Sequence, residues 1–228
     1  MGRAVRHAGA HGLLVGTETV DRSDVARMLR SAAERVRAEK ATLSVLDSHG
    51  GDGDHGTTMA RAMDRLEGAL DGDDVPEAGK LMKAVGWAIM GVDGGAIGPL
   101  LGSFFSSMAP AAPEGAIDGP AFAALFEAGL GGLLKNTRAR VGDKTLVDAL
   151  VPAVGELRSA VDAGEAIPDA LTRAAEAAER GAASTVELEA RFGRAKHLGP
   201  GSKGHADPGA TSIALLFKGL EEGATGNG

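Results

Sequence analysis

Apolar positions recur along this chain at helical spacing. After Asp21, residues Val25, Met28, Leu29, Ala32, Ala33 and Val36 fall at i, i+3, i+4, i+7, i+8 and i+11. That is the stripe of an amphipathic helix, and its spacing predicts continuation through Leu43 and Leu46. Met59, Met63, Leu66 and Leu70 predict a second helix, which runs out at the solvated turn Asp71-Gly72-Asp73-Asp74. Pro76 suits the first turn of a third, with Ala78, Leu81, Met82, Val85 and Ile89 on its apolar face. The periodicity then breaks. Gly91, Gly94, Gly95, Gly98 and Gly102 crowd around Pro99, so the backbone there must bend tightly or approach something closely.

Phe104, Phe105 and Met108 read as core beyond the break, and Pro110 to Pro120 as a loop. Pro120 opens a helix through Phe122, Leu125, Phe126 and Leu130, and another follows Gly142 with Leu146, Leu150, Val154 and Leu157. Pro168 opens an Ala-rich helix expected to reach Leu188 after an interruption at Gly181. The last begins at Asp207-Pro208, an N-cap followed by proline at the first helical position, and carries Ile213, Leu216 and Leu220. The expectation is all-α: about eight helices, no convincing strand, and one domain over 20–222 between tails at 1–19 and 223–228.

Composition narrows the function classes. Lys+Arg 24 against Asp+Glu 31 gives a net charge of −7, which argues against a nucleic-acid partner because neutralising a phosphate backbone needs a basic surface. There are no cysteines, so thiolate metal sites, disulfides and cysteine nucleophiles are excluded, and a reducing cytoplasm is the expected compartment. No window supplies the roughly 18 apolar residues of a membrane span, so no membrane association is expected. Six Phe, one Trp and no Tyr on an Ala-rich background suit closely packed helices better than a sheet.

The chemistry concentrates in Leu46-Asp47-Ser48-His49-Gly50-Gly51-Asp52-Gly53-Asp54-His55-Gly56-Thr57-Thr58. Three carboxylates in so short a glycine-rich segment repel one another unless a cation neutralises them, and hard oxygen ligands favour Mg²⁺. A solvated acidic turn capping the next helix is the competing reading. Gly51-x-Gly53-x-x-Gly56 matches a dinucleotide fingerprint but follows a helix rather than a strand. Asp52-x-Asp54 fails as a calcium loop because position twelve is Met63, not glutamate. No P-loop sequence occurs. Gly94-Gly95-Ala96-Ile97-Gly98-Pro99-Leu100 serves either as a phosphate-facing backbone or as tight helix packing. Arg194, Lys196 and Lys203 offer charge to a phosphate or act as surface cations.

Four blocks in this order resemble the nucleotide-binding L subunit of dihydroxyacetone kinases, the counterpart of the C-terminal kinase domain in fused forms. They are Asp47 to Thr58; Gly94 to Leu100 with Gly102 and Phe104-Phe105; Gly142-Asp143-Lys144-Thr145 with Asp148 to Pro152; and Gly193-Arg194-Ala195 leading to Gly204-His205-x-Asp207-Pro208-Gly209-Ala210-Thr211-Ser212. Coverage runs from about Asp21 to Leu220. The resemblance implies a barrel of eight antiparallel helices with the nucleotide in loops at one end. It implies that Asp47, Asp52 and Asp54 hold a pair of Mg²⁺ ions bridging the phosphates of ATP or ADP, and that transfer depends on them. It places His55, Gly56, Thr57 and Thr58 against the nucleotide, the backbone of Ala96 and Ile97 against phosphate, and Leu146, Arg194, Asp207, Pro208 and Gly209 on the nucleoside side. Ile97 replaces a small hydroxyl residue usual in the family, and the segment 196–201 departs from its usual polar pattern.

The implied activity is half of a kinase. The chain presents Mg-nucleotide, and a partner subunit holds a short ketose, dihydroxyacetone or a ketotetrose such as erythrulose. A phosphocarrier protein that rephosphorylates bound ADP is a second implied partner, and a homodimer is left open. A non-catalytic nucleotide-binding regulator is the reading from another class.

Overall fold

A computed structural model of the chain describes residues 19–72 and 77–226. Pro76 and the acidic pair Asp73-Asp74, expected at a helix start and a turn, lie outside the described residues, as do nearly all of 1–19. Nine α-helices occur among the described residues: α1 (Arg22–Ala38), α2 (Lys40–Ser48), α3 (His55–Leu70), α4 (Ala78–Met90), α5 (Ile97–Met108), α6 (Gly119–Leu134), α7 (Val147–Asp162), α8 (Ile167–Ser184) and α9 (Pro208–Thr225).

Three expectations need correction. The first stripe does not form one helix: Glu39 leaves helical geometry (φ −95°, ψ 14°), and the apolar spacing passes from Val36 to Leu43 across a change of axis. Neither glycine nor proline marks that break, so periodicity cannot see it. Gly181 does not interrupt α8. Pro152 leaves the Asp148 carbonyl of α7 without its usual helical donor, and Gly181 lets α8 press against that carbonyl, where a Cβ would overlap it. The all-α expectation stands: the strands among the described residues are two-residue segments, β1 (Thr19–Val20) paired antiparallel with β2 (Ile117–Asp118). Finally α9 runs on to Thr225, with Gly223 and Ala224 buried.

Eight of the helices close a ring in the order α1, α3, α4, α5, α6, α7, α8, α9 and back to α1, while α2 packs on α3 and α9. Cross-links fix the neighbours as antiparallel. Arg30 and Arg37 of α1 meet Asp71 and Glu67 at the end of α3 in reverse order, and Arg173 of α8 meets Glu156 of α7. Small residues set the spacing: Gly219 and Gly223 of α9 lie directly on the α1 backbone around Ala32 and Met28. Inside the ring, Phe126 of α6 packs against Phe217 of α9, which is not its ring neighbour, with ring centroids 5.6 Å apart and planes tilted by 49°, so aromatics fill the interior. Five of the six phenylalanines, Phe104, Phe105, Phe122, Phe126 and Phe217, are thus buried inside the barrel.

Candidate functional site

Antiparallel closure brings four connections to one end of the barrel: α2–α3, α4–α5, α6–α7 and α8–α9. They line a cleft of about 390 Å³. Asp47 sits in the last turn of α2 and Asp54 immediately precedes α3. Between them Gly53 takes a left-handed φ of 76° and Gly51 packs where a Cβ would overlap the Asp47 carboxylate. This winding brings one carboxylate oxygen from each of Asp47, Asp52 and Asp54 within 4.8 Å of the others.

Among the described residues Arg194 answers this charge, pairing with Asp52 across the cleft. Desolvation, then the hydrogen-bonded Asp52 and the charges of Asp52 and Asp47, push the Asp54 carboxyl up, with Arg194 opposing. Asp52 is held down: the upward push of desolvation is outweighed by its bonds with Arg194 and Asp54. Three hard oxygen donors with one arginine between them are a set that a divalent cation fits, and Asp52 and Asp54 stay exposed, as Mg²⁺ completing its shell with water or phosphate requires.

His55 opens α3 and its backbone N–H donates to Asp47 Oδ2 at 3.3 Å. Its Nε2 lies 2.8 Å from Ser212 Oγ, and that hydroxyl lies 3.0 Å from the Pro208 carbonyl, which joins the start of α3 to that of α9. Burial lowers the imidazole pKa against the pull of Asp47. Thr58 is buried beside Gly94, whose φ of 127° and 2.5 Å clearance for a Cβ at Thr58 Oγ1 require glycine. Ala96 caps α5 with no side-chain hydrogen bond, so the first-turn amides of that helix are free for an anion. Ile97 buries its side chain, which limits its polar contact to the backbone.

The opposite wall is Leu146 with Asp207, Pro208 and Gly209. A Cβ on Gly209 would lie 3.4 Å from that of Leu146. Asp207 caps α9, accepting from Ala210 N at 2.7 Å. Burial raises its carboxyl to about 7, the Asp148 charge adding to the push while the Ala210 and Gly209 amides and Lys144 oppose it.

Residues 49–222 match the family model of the DAK2 domain. The chain belongs to the DAK2 domain family. The relatives of this DAK2 domain include a Listeria innocua protein named PEP-dependent dihydroxyacetone kinase 1, ADP-binding subunit DhaL, 37% identical over 87% of this chain and 95% of its own. The corresponding DhaL subunit of Escherichia coli is 34% identical over 88% and 96%. A rat triokinase/FMN cyclase is 32% identical over 79% of this chain but only 31% of its own length. The dihydroxyacetone kinase of C. freundii in complex with AMP-PNP and Mg²⁺ superposes with a TM-score of 0.66 at 26% identity, covering 97% of this chain and 37% of that one.

In this DAK2 domain Asp47, Asp54, His55, Thr58, Ala96, Ile97, Leu146, Arg194, Asp207, Pro208 and Gly209 all line the cleft. Asp52 stands beside it on Arg194. Gly56 and Thr57 are not among the lining residues; Gly56 lies under α2, where a Cβ would overlap the Lys40 carbonyl. Sequence reasoning gave no cleft role to Thr137, Ala139, Lys144, Phe192 or His205, which also line it. His205 stacks on His49, ring centroids 3.6 Å apart. Lys144 was visible in its Gly-Asp-Lys-Thr quartet, Phe192 as an aromatic outside any helical stripe and His205 beside Gly204 ahead of Asp207; Thr137 and Ala139 carry no signal.

Proposed function

We propose that this chain is the Mg-nucleotide-binding component of a dihydroxyacetone kinase, presenting the phosphoryl group to a short ketose held on a partner subunit. The observation that carries the reading is the cluster of three carboxylates facing the uncapped start of α5, in a chain whose near-full-length relatives are named ADP-binding subunits. Asp47, Asp52 and Asp54 would hold Mg²⁺, as a pair of ions. Bound there, the metal supplies charge neutralisation of the phosphates, the main demand of phosphoryl transfer beyond positioning. The α5 amides at Ala96 and Ile97 receive phosphate oxygens, and His55 fixes the start of α3 on α9 through Ser212. Leu146, Pro208 and Gly209 form an apolar wall for the nucleoside, with Arg194 joining the two halves.

The exposed large apolar side chains support a partner at this same end. Val45 of α2, Trp87 in the last turn of α4, Leu134 at the end of α6, Val141 and Leu198 all stand on elements or loops at the cleft end, Trp87 at 64% exposure. That distribution fits a docked ketose-binding subunit.

The donor route has a second reading. Relatives matched over nearly their full length are named PEP-dependent or PTS-dependent, which favours retained ADP rephosphorylated by a phosphocarrier protein over free exchange of ATP. Calorimetry of ADP and ATP with and without Mg²⁺, after testing the purified protein for bound nucleotide, separates the two. Exchangeable Mg-dependent binding of both supports direct ATP use, and retained ADP that ATP does not displace supports the relay. Asp52→Asn is expected to abolish Mg-nucleotide binding; a variant that binds and turns over normally sinks the assignment. A chain that binds ADP yet supports no transfer with any kinase partner would be a regulator instead.

A further inference from the structure

The connection from α8 to α9 carries Phe192, Arg194, Leu198, His205 and Asp207 into the cleft with only 3₁₀ turns of its own. What closes its neck is a side chain from a different connection. Lys144, between α6 and α7, is 6% exposed, and its Nζ donates to the Thr185 carbonyl and the His205 carbonyl, both at 2.6 Å. Thr185 begins the loop and His205 nearly ends it. The same neck is tied by Thr185 Oγ1, which accepts the Asp207 N–H at 2.8 Å, and by Gly204 N donating to the Val186 carbonyl at 2.8 Å.

The lysine is held in place at a cost. It is the one non-glycine residue with positive φ (60°) among the described residues, a conformation that strains any side chain. Its ammonium is desolvated, which lowers its pKa, while Asp207 when ionised, Asp148 and Glu187 supply compensating charge. The turn around it is stiff, because Asp148 accepts from Gly142 N at 2.6 Å and from Thr145 N at 2.7 Å. It also grips the loop at a third point, where Arg191 N donates to the Asp143 carbonyl at 3.1 Å.

We propose that Lys144 is a positioning residue for the nucleoside half of the site, holding the Asp207-Pro208-Gly209 wall and the Arg194 loop against the cleft through Thr185 and His205. This rests on the Mg-nucleotide reading. The Nζ bonds of Lys144 go to Thr185 and His205, and its link to the aspartates runs through the Arg194–Asp52 pair, so its effect divides the ligand: the nucleoside side depends on it more than the metal-phosphate side does.

Lys144→Met keeps the length and the backbone strain and removes only the ammonium. Affinity is measured by calorimetry for Mg-ATP and for Mg-tripolyphosphate, which lacks the nucleoside, and amide exchange is followed over 186–206. The charged hydrogen bonds removed are strong ones, so Mg-ATP is expected to bind about tenfold more weakly, Mg-tripolyphosphate within about twofold of wild type, with faster exchange in the loop. Equal weakening of both ligands, as general loss of structure would give, or unchanged Mg-ATP binding overturns the role. Failure of the wild-type chain to bind Mg-ATP overturns the nucleotide reading together with it. If the methionine variant does not fold, Lys144→Gln, which keeps a polar head but cannot span both the Thr185 and His205 carbonyls as the ammonium does, must show the same division between ligands, and its absence is equally decisive.

Discussion

Replacing Asp207 with asparagine separates its two properties, capping and charge. The amide oxygen can still accept from Ala210 N, so the start of α9 stays satisfied. The variant cannot ionise. In the native chain burial first, helped by Asp148, raises this carboxyl from 3.8 to about 7. Between those pH values the native state keeps a proton that the unfolded chain has released, so stability is greatest below pH 4 and is lost as pH rises toward 7. At about 1.36 kcal/mol per unit, a displacement of about 3 units amounts to at most about 4 kcal/mol. The assay is urea unfolding of wild type and Asp207→Asn without nucleotide, from pH 4 to pH 8. Subtracting one curve from the other cancels the titrating groups distant from Asp207, leaving Asp207 with its neighbours Asp148 and Lys144. Wild type should lose stability relative to the variant progressively across that range and level off above pH 7. A difference that is flat with pH, or that grows in favour of wild type, refutes the account of Asp207 as a buried, proton-holding cap.

Gly219→Ala should destabilise the fold by about 2 kcal/mol despite alanine's better helix propensity, because the new Cβ would meet backbone atoms of Ala32 and Ser31 and drive α9 off α1. Gly68→Ala on α3, with nothing within 4 Å, is its control and should stabilise by up to about 1 kcal/mol in the same thermal unfolding assay. Asp21→Ala removes the capping box of α1, in which the Asp21 carboxylate accepts from Ser23 N and Asp24 N while Asp24 receives the Asp21 N–H. A loss of about 1 kcal/mol in unfolding free energy is expected, and no loss would mean that tertiary packing alone fixes that terminus.

The sequence by itself determined the helical class, most helix starts, and the segment that carries the acidic cluster. These follow from short-range rules: the apolar period of α1 and α3, Asp207 before Pro208, and Asp47, Asp52 and Asp54 separated only by a few small or flexible residues. Only the tertiary structure decided what faces what. That α2 turns away at Glu39, that Gly56 serves α2 packing rather than the cleft, and that Arg194 reaches Asp52 depend on the closure of eight helices into a ring. Lys144 is the clearest case. Its ammonium joins Thr185 to His205, residues that lie 41 and 61 positions further along the chain, and no local pattern encodes a contact made only when helix ends distant in sequence are brought to the same end of a barrel.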